Sequence, residues 1–488
     1  MNRAVGDYRT AHAQLAALRA GEVSAEELAR QAIAAIEALD PALNAVVVRD
    51  FDRALDAARV ADAVRAKGGT GALLGLPMTV KEAFNVAGLP TTWGLPGTST
   101  IPVTQDAVVV RRLKAAGAVI LGKSNVATML GDWQSANPVH GVTANPWDVS
   151  RTAGGSSGGG AAAVAAGMVA LEFGSDLASS LRAPAAFCGV YAHKPSWGLV
   201  PQRGFAPPGA PSLGPQPAID LSVLGPIARG PADLRLALQV AMGPDDADAR
   251  AWRVVLPAAR ATALRDFRVL ILDRHPLLPT AAPVRDALTA LEDRLRREGA
   301  RVTRQAEGLP DLVATAALQM ELMMAQFSAD VPDTAYAAAR AAAEGLGGGD
   351  DPQAASLRGQ ALSHRDWIRA DRRRYADRAA WARVFEAVDV VLCPAMPMAA
   401  FAHDARPMYE RSLTIDGETV PYVAQSLWGT LATVGGLPAT AVPLGLNPDG
   451  LPIGAQAIGP WLEDLTPLAF AEATERAFGG FRAPPGLA

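Results

Sequence analysis

The stretch TAGGSSGGGAAAVAAG, Thr152–Gly167, carries six glycines and two serines, and no side chain in it is longer than valine. It admits three readings: a flexible linker, a phosphate-binding loop, or the backbone of an active site. The linker fits badly. Gly/Ser linkers continue into polar residues, whereas AAAVAAGMVAL (161–171) follows at once. That continuation reads as a buried, small-residued helix. The glycines therefore form a loop leading into a helix N-terminus, whose free N–H groups and dipole favour negative charge.

A phosphate loop finds a formal match upstream, where GAVILGKS (117–124) satisfies G-x-x-x-x-G-K-[ST] letter for letter. Its variable positions, Ala118, Val119, Ile120 and Leu121, are strand residues, and a helix pattern rather than a buried strand precedes Gly117. Lys123 then reads as a lysine just beyond a strand end. GGSSG (154–158) also matches the G-x-S-x-G elbow of α/β-hydrolases. That elbow needs a strand directly before it, and NPWDVSRTA (145–153) reads as loop. Of the histidines His12, His140, His193, His275, His364 and His403, none stands recognisably as a triad partner; His140 and His193 read as satisfied loop or core residues. An esterase with Ser156 as nucleophile remains an alternative.

The chain has 488 residues, 50% hydrophobic and 19% charged, which is enough apolar material for a large core. A formal charge of −4 offers no basic face to nucleic acid or to an anionic membrane. The N-terminal residues lack an apolar signal region, and no run of 18 apolar residues occurs, so a cytoplasmic protein is expected. Cys188 and Cys393 sit in apolar settings and read as small buried hydrophobes, without a disulfide scaffold or zinc site. Only five lysines, Lys67, Lys81, Lys114, Lys123 and Lys194, stand against 40 arginines. Arginine stays protonated in a protein, whereas a buried lysine can serve as a base.

Along the chain, SAEELARQAIAAIEALD (24–40) opens with Ser24 and Glu27 spaced as a capping box and continues with helical periodicity. From about residue 45 to 230, short β-branched runs alternate with Ala-rich helical stretches, which predicts an α/β core. PPGAPSLGPQPA (207–218) reads as a Pro/Gly loop, and 310–385 as mostly helical apart from a flexible EGLGGGDDP (344–352). FRVLILD (267–273), AVDVVLCPAMP (387–397) and LPATAVPLGL (437–446) read as further core strands, and a last helix falls near 462–478. The MELMMAQF stripe (320–327) reads as core, or else as the lining of an apolar pocket.

A second serine cluster, GSDLASSLRAPAAFCG (174–189), follows the glycine stretch, with Asp176 and Arg182 flanking Ser179 and Ser180. Together with Lys81 in GLPMTVKE, GKSN, HKPSWGLVP and GLPATAVPLGLNPDGLPIGAQAIGP, these segments resemble the amidase signature family in order and spacing. The resemblance is dense over about 70–230 and 385–480 and thin over about 240–385. It implies one amidase signature domain over 1–488, an α/β fold with a large mixed twisted sheet flanked by helices on both faces.

The resemblance also implies a Ser–cis-Ser–Lys triad of Lys81, Ser156 and Ser180. In it Ser180 attacks the carbonyl, and Ser156, after a cis peptide bond, relays protons to lysine. The physics is compatible, because a neutral hydroxyl needs an adjacent base and a lysine qualifies only when burial lowers its pKa. The implied oxyanion donors are the backbone N–H groups of Leu177, Ala178, Ser179 and Ser180, although the family typically has two glycines where Ala178 and Ser179 stand. Ser157, Asp176 and Arg182 are implied as supports, and Met129, Leu130, Trp133 and Gln134 as substrate neighbours. The segment PYVAQSLWGT (421–430) is read as a further pocket loop. The implied activity is cleavage of carboxamides, aryl or alkyl, through an acyl-enzyme, with carbamates and esters as candidate substrates and without cofactor or metal. A monomer or homodimer acting on a small molecule is expected. The alternative within the resemblance is the glutaminase subunit of a tRNA-dependent amidotransferase, whose sequence at the nucleophile is closer to GTDTGGSIRQPA than to GSDLASSLRAPA.

Overall fold

The computed structural model describes residues 6–98, 100–208, 218–329, 331–346 and 349–485. Most of the Pro/Gly loop at 207–218 and the centre of the 344–352 stretch lie outside the described residues. Apolar and β-branched runs supply the strands of one sheet: β1 (Val46–Arg49), β2 (Pro77–Lys81), β3 (Val119–Ser124), β4 (Leu171–Asp176), β5 (Tyr191–Lys194) and β6 (Val223–Ala228). The later part of the chain adds β7 (Arg268–Ile271), β8 (Arg301–Thr303), β9 (Val390–Pro394), β10 (Ala439–Leu446) and β11 (Pro452–Ile458). Among the described residues these make an 11-stranded sheet in the order β1-β3-β2-β4-β6-β5-β10-β11-β9-β7-β8.

The neighbours β3, β2 and β4 run parallel, as do β9, β7 and β8, and antiparallel pairs join the two groups. The sheet is thus mixed, as expected. Every residue of β2, β3 and β4 is buried, the signature of a sheet covered on both faces. The capping box at Ser24 and Glu27 forms as read and starts the helix Ala25–Leu43. Residues 310–385 form helices at Leu312–Ser328, Asp333–Ala343, Pro352–Gln360 and His364–Ala387.

The glycine stretch folds as a loop into the fully buried helix Gly158–Ala165. Its glycines serve close approach to the sheet. A Cβ on Gly159 would stand 2.3 Å from the backbone N of Asn125, and one on Gly160 would stand 2.4 Å from Cγ of Glu172.

Four readings change. Asp148–Thr152, read as loop, is a short strand paired with Ala144–Asn145 outside the main sheet; it is largely solvent-facing and carries no apolar run that would mark it as a strand. Lys123 lies inside β3 rather than beyond it, because Glu82 at 3.5 Å and the carbonyl of Pro90 at 2.5 Å satisfy its buried amine. The segment 421–430 is a 3-10 turn, Tyr422–Ser426, running into the helix Leu427–Thr433, not an open loop. The methionine stripe is split: Leu322 is buried and Met323 packs against its cluster, while Phe327 is exposed. Both cysteines are buried and free. Among the described residues no helix is long and apolar enough to cross a membrane.

Substituting Gly159 with valine forces a side chain into backbone, so overpacking of about 1–3 kcal/mol is expected. A lowered urea midpoint for Gly159→Val, against an unchanged midpoint for Gly349→Ala, where a Cβ meets nothing within 4 Å, checks this.

Candidate active site

Because β2 and β4 are parallel neighbours, their carboxyl ends reach the same edge of the sheet. Lys81 closes β2, and Ser175 and Asp176 close β4. The loop before the helix Gly158–Ala165 delivers Ser156 and Ser157 to that edge, and the peptide bond between Gly155 and Ser156 is cis. Lys81 is wholly buried, and its Nζ donates to the hydroxyls of Ser156 (2.7 Å), Ser157 (2.9 Å) and Ser175 (2.9 Å). Ser157 donates its own hydroxyl proton to the carbonyl of Ser175 at 3.2 Å, which leaves its oxygen to accept from Lys81. Burial pushes the lysine amine down to about 7, against the upward pull of Asp176 and Glu172. An amine so placed is available as a free base near neutral pH.

Ser180 lies beside this cluster: its carbonyl accepts from the N–H of Ser157 at 3.2 Å. Its relative exposure is 8%, against 1% for Ser156, so Ser180 is the more open of the two hydroxyls. It is not a helix cap, since the helix Arg182–Cys188 has no side-chain cap on Leu181. Asp176 takes that part, accepting from the N–H groups of Ser179 (3.1 Å) and Leu181 (3.0 Å). Burial pushes the Asp176 carboxyl up, but Arg182 and these hydrogen bonds overcome it and hold the group below the usual carboxylate range. Arg182 is fully buried, with Nη2 at 2.8 Å from Asp176 Oδ1 and Nε at 3.0 Å from Oδ2. The same guanidinium reaches Gln456 (2.8 Å), Thr433 (3.0 Å) and the carbonyl of Gly429 (3.1 Å), tying the serine loop to β11 and to the helix Leu427–Thr433.

The four residues read as substrate neighbours separate. Met129 is 41% exposed, with Leu130 half-buried beside it, and both have left-handed φ (52° and 60°). Trp133 donates its indole N–H to the carbonyl of Ala178 at 2.7 Å and bears edge-on against Tyr422. Gln134 spends its amide on Asp404, donating to its carbonyl (3.0 Å) and accepting from its N–H (2.9 Å), so it straps the 400–406 segment rather than facing a ligand. His193 is satisfied within the core by Thr440 and Asp464.

A buried lysine among three serine hydroxyls, with a braced fourth serine beside it, is an arrangement that can support acyl transfer. An amidase family model matches residues 27–468. The chain belongs to the amidase signature family. The indoleacetamide hydrolase of Bradyrhizobium diazoefficiens is 34% identical over 95% of this chain and 85% of its own length. A glutamyl-tRNA(Gln) amidotransferase subunit of Rhodopirellula baltica is 31% identical over 92% of each chain. Among solved structures, a bacterial aryl acylamidase of the amidase signature family aligns over 97% of both chains with a TM-score of 0.79 and 26% identity. A protein of an inhibitor-bound vestigial complex, linked to the origins of an s-triazine catabolic enzyme, aligns over 97% of this chain and 99% of its own with a TM-score of 0.80 and 29% identity. The protein is thus a hydrolase of the amidase class, acting on amides.

Three residues of the amidase site escape a reading of the sequence. Ser135 accepts from the N–H of Gly158 (2.9 Å) and donates to the carbonyl of Ser156 (3.3 Å), holding the glycine loop. Ser175 supplies the third hydroxyl on Lys81. Glu172 lies in the core of β4 and accepts from Thr79 and from Ser124 (2.6 Å). A lone acid inside the apolar run MVALEF is the available signal for it.

Arg182→Met strands Asp176 as an unpaired buried charge. A loss of about 3–5 kcal/mol is expected, read as a lower thermal midpoint, together with loss of amidase activity from the loosened serine loop.

Proposed function

We propose that the chain cleaves small amides bearing an apolar, often aromatic, group through an acyl-enzyme on Ser180. The observation that carries this reading is the 2.7 Å bond between the buried side chains of Lys81 and Ser156. The neutral amine keeps two N–H bonds for Ser157 and Ser175 and turns its lone pair to the hydroxyl of Ser156. Ser156 passes its proton to Lys81 as it takes the proton of Ser180, and the Ser180 oxygen attacks the amide carbonyl. The negative charge that develops is met by backbone N–H groups of the loop. Because Asp176 already engages the N–H of Ser179, those of Leu177, Ala178 and Ser180 carry this load. The proton returns along the same path to the departing amine, and water then attacks the acyl-enzyme.

The apolar preference rests on Leu177, packed against the buried cluster that holds Leu318 and Leu322, and on the aromatic pair of Trp133 and Tyr422 near the loop. The indoleacetamide hydrolase relationship supports an aryl-bearing amide. Carbamates and esters present the same carbonyl to the same serine and belong to the expected range. The second reading, a glutaminase subunit, is favoured by the amidotransferase relatives. It is opposed by the departure of DLASSLRAP from the glycine pair of that subunit's usual sequence.

The purified chain alone is expected to turn over anilides and indole-3-acetamide and to leave L-glutamine intact; the reverse pattern overturns the assignment. Ser180→Ala and Lys81→Ala are each expected to abolish turnover while circular dichroism stays native, and a fluorophosphonate probe is expected on Ser180. Labelling on Ser156 would favour the esterase elbow. Because the base must be unprotonated, kcat/KM is expected to rise with pH through an inflection near about 7, the position to which burial brings Lys81, and to fall away below it.

A further inference from the structure

Glu172 takes no part in the mechanism above, yet it is a fully buried acid within the strand whose end forms the catalytic edge. Thr79 of β2 pairs with Glu172 of β4, and Lys81 of β2 pairs with Ser124 of β3. Residues 79 and 81 share a face of their strand, so Thr79, Lys81, Ser124 and Glu172 form one polar patch under the helix Gly158–Ala165. Gly160 of that helix lies directly on the carboxylate: a Cβ there would meet Glu172 Oε1 at 2.7 Å. The hydroxyls of Thr79 and Ser124 hold both carboxyl oxygens.

The charged groups around this patch can be matched. Asp176 is paired with Arg182, and Lys194 of β5 also acts on Asp176. Lys123 is paired with Glu82. Lys81 and Glu172 remain, each feeling the other electrostatically and neither forming a direct ion pair among the described residues. Two separated buried charges are costly. Moving one proton from the ammonium to the carboxylate removes both at once: the amine loses a proton, the carboxylate gains it, and nothing else changes. Hydroxyl partners accommodate either form, because each can donate or accept. Burial pushes Glu172 up to about 7, against the hydrogen bonds of Ser124 and Thr79, so both groups stand near neutrality.

We propose that Glu172 is a positioning residue that sets the charge state of Lys81, its carboxylate raising the pH at which the lysine gives up its proton to become a base. The proposal rests on the reading of Lys81 as the base of the reaction. The single proton then belongs to the pair rather than to either residue.

The test is the pH profile of kcat/KM for an anilide in the full-length enzyme carrying Glu172→Gln, with Glu172→Asp and Ser180→Ala beside it. Loss of the carboxylate removes an interaction that favours the ammonium, so the acid limb is expected to move down by about one pH unit in Glu172→Gln. Glu172→Asp is expected to move it back toward the wild-type position. A folded Glu172→Gln enzyme with a wild-type acid limb overturns the proposal while leaving the triad intact, provided Ser180→Ala is inactive. An active Ser180→Ala fails the triad reading instead. If Glu172→Gln does not fold, the double variant Thr79→Val, Ser124→Ala strips the carboxylate of its donors. It is expected to move the limb downward too, and an unmoved limb there counts equally against the proposal.

Discussion

A primary amine sealed from water at the end of a strand, with hydroxyls instead of a carboxylate for partners, is the condition on which the rest of this site depends. The Lys81 nitrogen faces three serine oxygens, so every N–H it carries has a hydroxyl partner in either protonation state. A directly bonded carboxylate would lock the ammonium form, and open water would do the same. Hydroxyls satisfy the N–H groups without imposing charge, so burial decides the protonation state. In a chain where arginine outnumbers lysine 40 to five, no arginine could replace this residue, since a guanidinium does not release its proton.

That condition dictates the packing around it. The first turn of the helix Gly158–Ala165 is pressed so close to the sheet that it carries no side chains. Gly159 lies against the backbone N of Asn125, where a Cβ would stand at 2.3 Å, and Gly160 lies against Glu172. The run of glycines that invites a linker reading is thus among the most tightly constrained parts of the chain. What looks like conformational freedom in composition is, in the fold, the absence of any room for a β-carbon.

This explains which parts of the site are legible in the sequence. Lys81, Ser156, Ser157, Asp176, Ser180 and Arg182 sit in short segments dense in unusual residue combinations. The alternation of β-branched runs with Ala-rich helices likewise announces a helix-covered sheet. Ser135, Ser175 and Glu172 carry no local pattern; each acquires its meaning from a partner distant in sequence. Glu172 meets Thr79 across 93 positions and Ser124 across 48, and Gln134 meets Asp404 across 270. A residue type alone does not say whether an amide faces a ligand or ties down a strap, which is why the strap that Gln134 forms is not legible in the sequence. The strand Asp148–Thr152 escapes notice for a related reason, since a hairpin at the margin needs no apolar face.

The departure of this chain from the glycine pair of its family has a physical counterpart elsewhere in the fold. Ser179 occupies φ +72°, in the left-handed region where a side chain costs about 1–2 kcal/mol relative to glycine. Its hydroxyl is buried and makes no hydrogen bond among the described residues. The space it fills is given by Gly429, where a Cβ would stand 2.1 Å from the Ser179 oxygen. The carbonyl of Gly429 meanwhile accepts from Arg182, which braces Asp176 and through it the N–H of Ser179. Gly429, on the helix Leu427–Thr433, leaves the room that the Ser179 side chain takes. The loop therefore keeps its backbone course with a larger residue in it, and its shape is set jointly by two segments 250 positions apart in the chain. A site built this way is tuned from the C-terminal half as much as from the signature core, because any side chain added at 429 is felt first at the peptide that precedes Ser180.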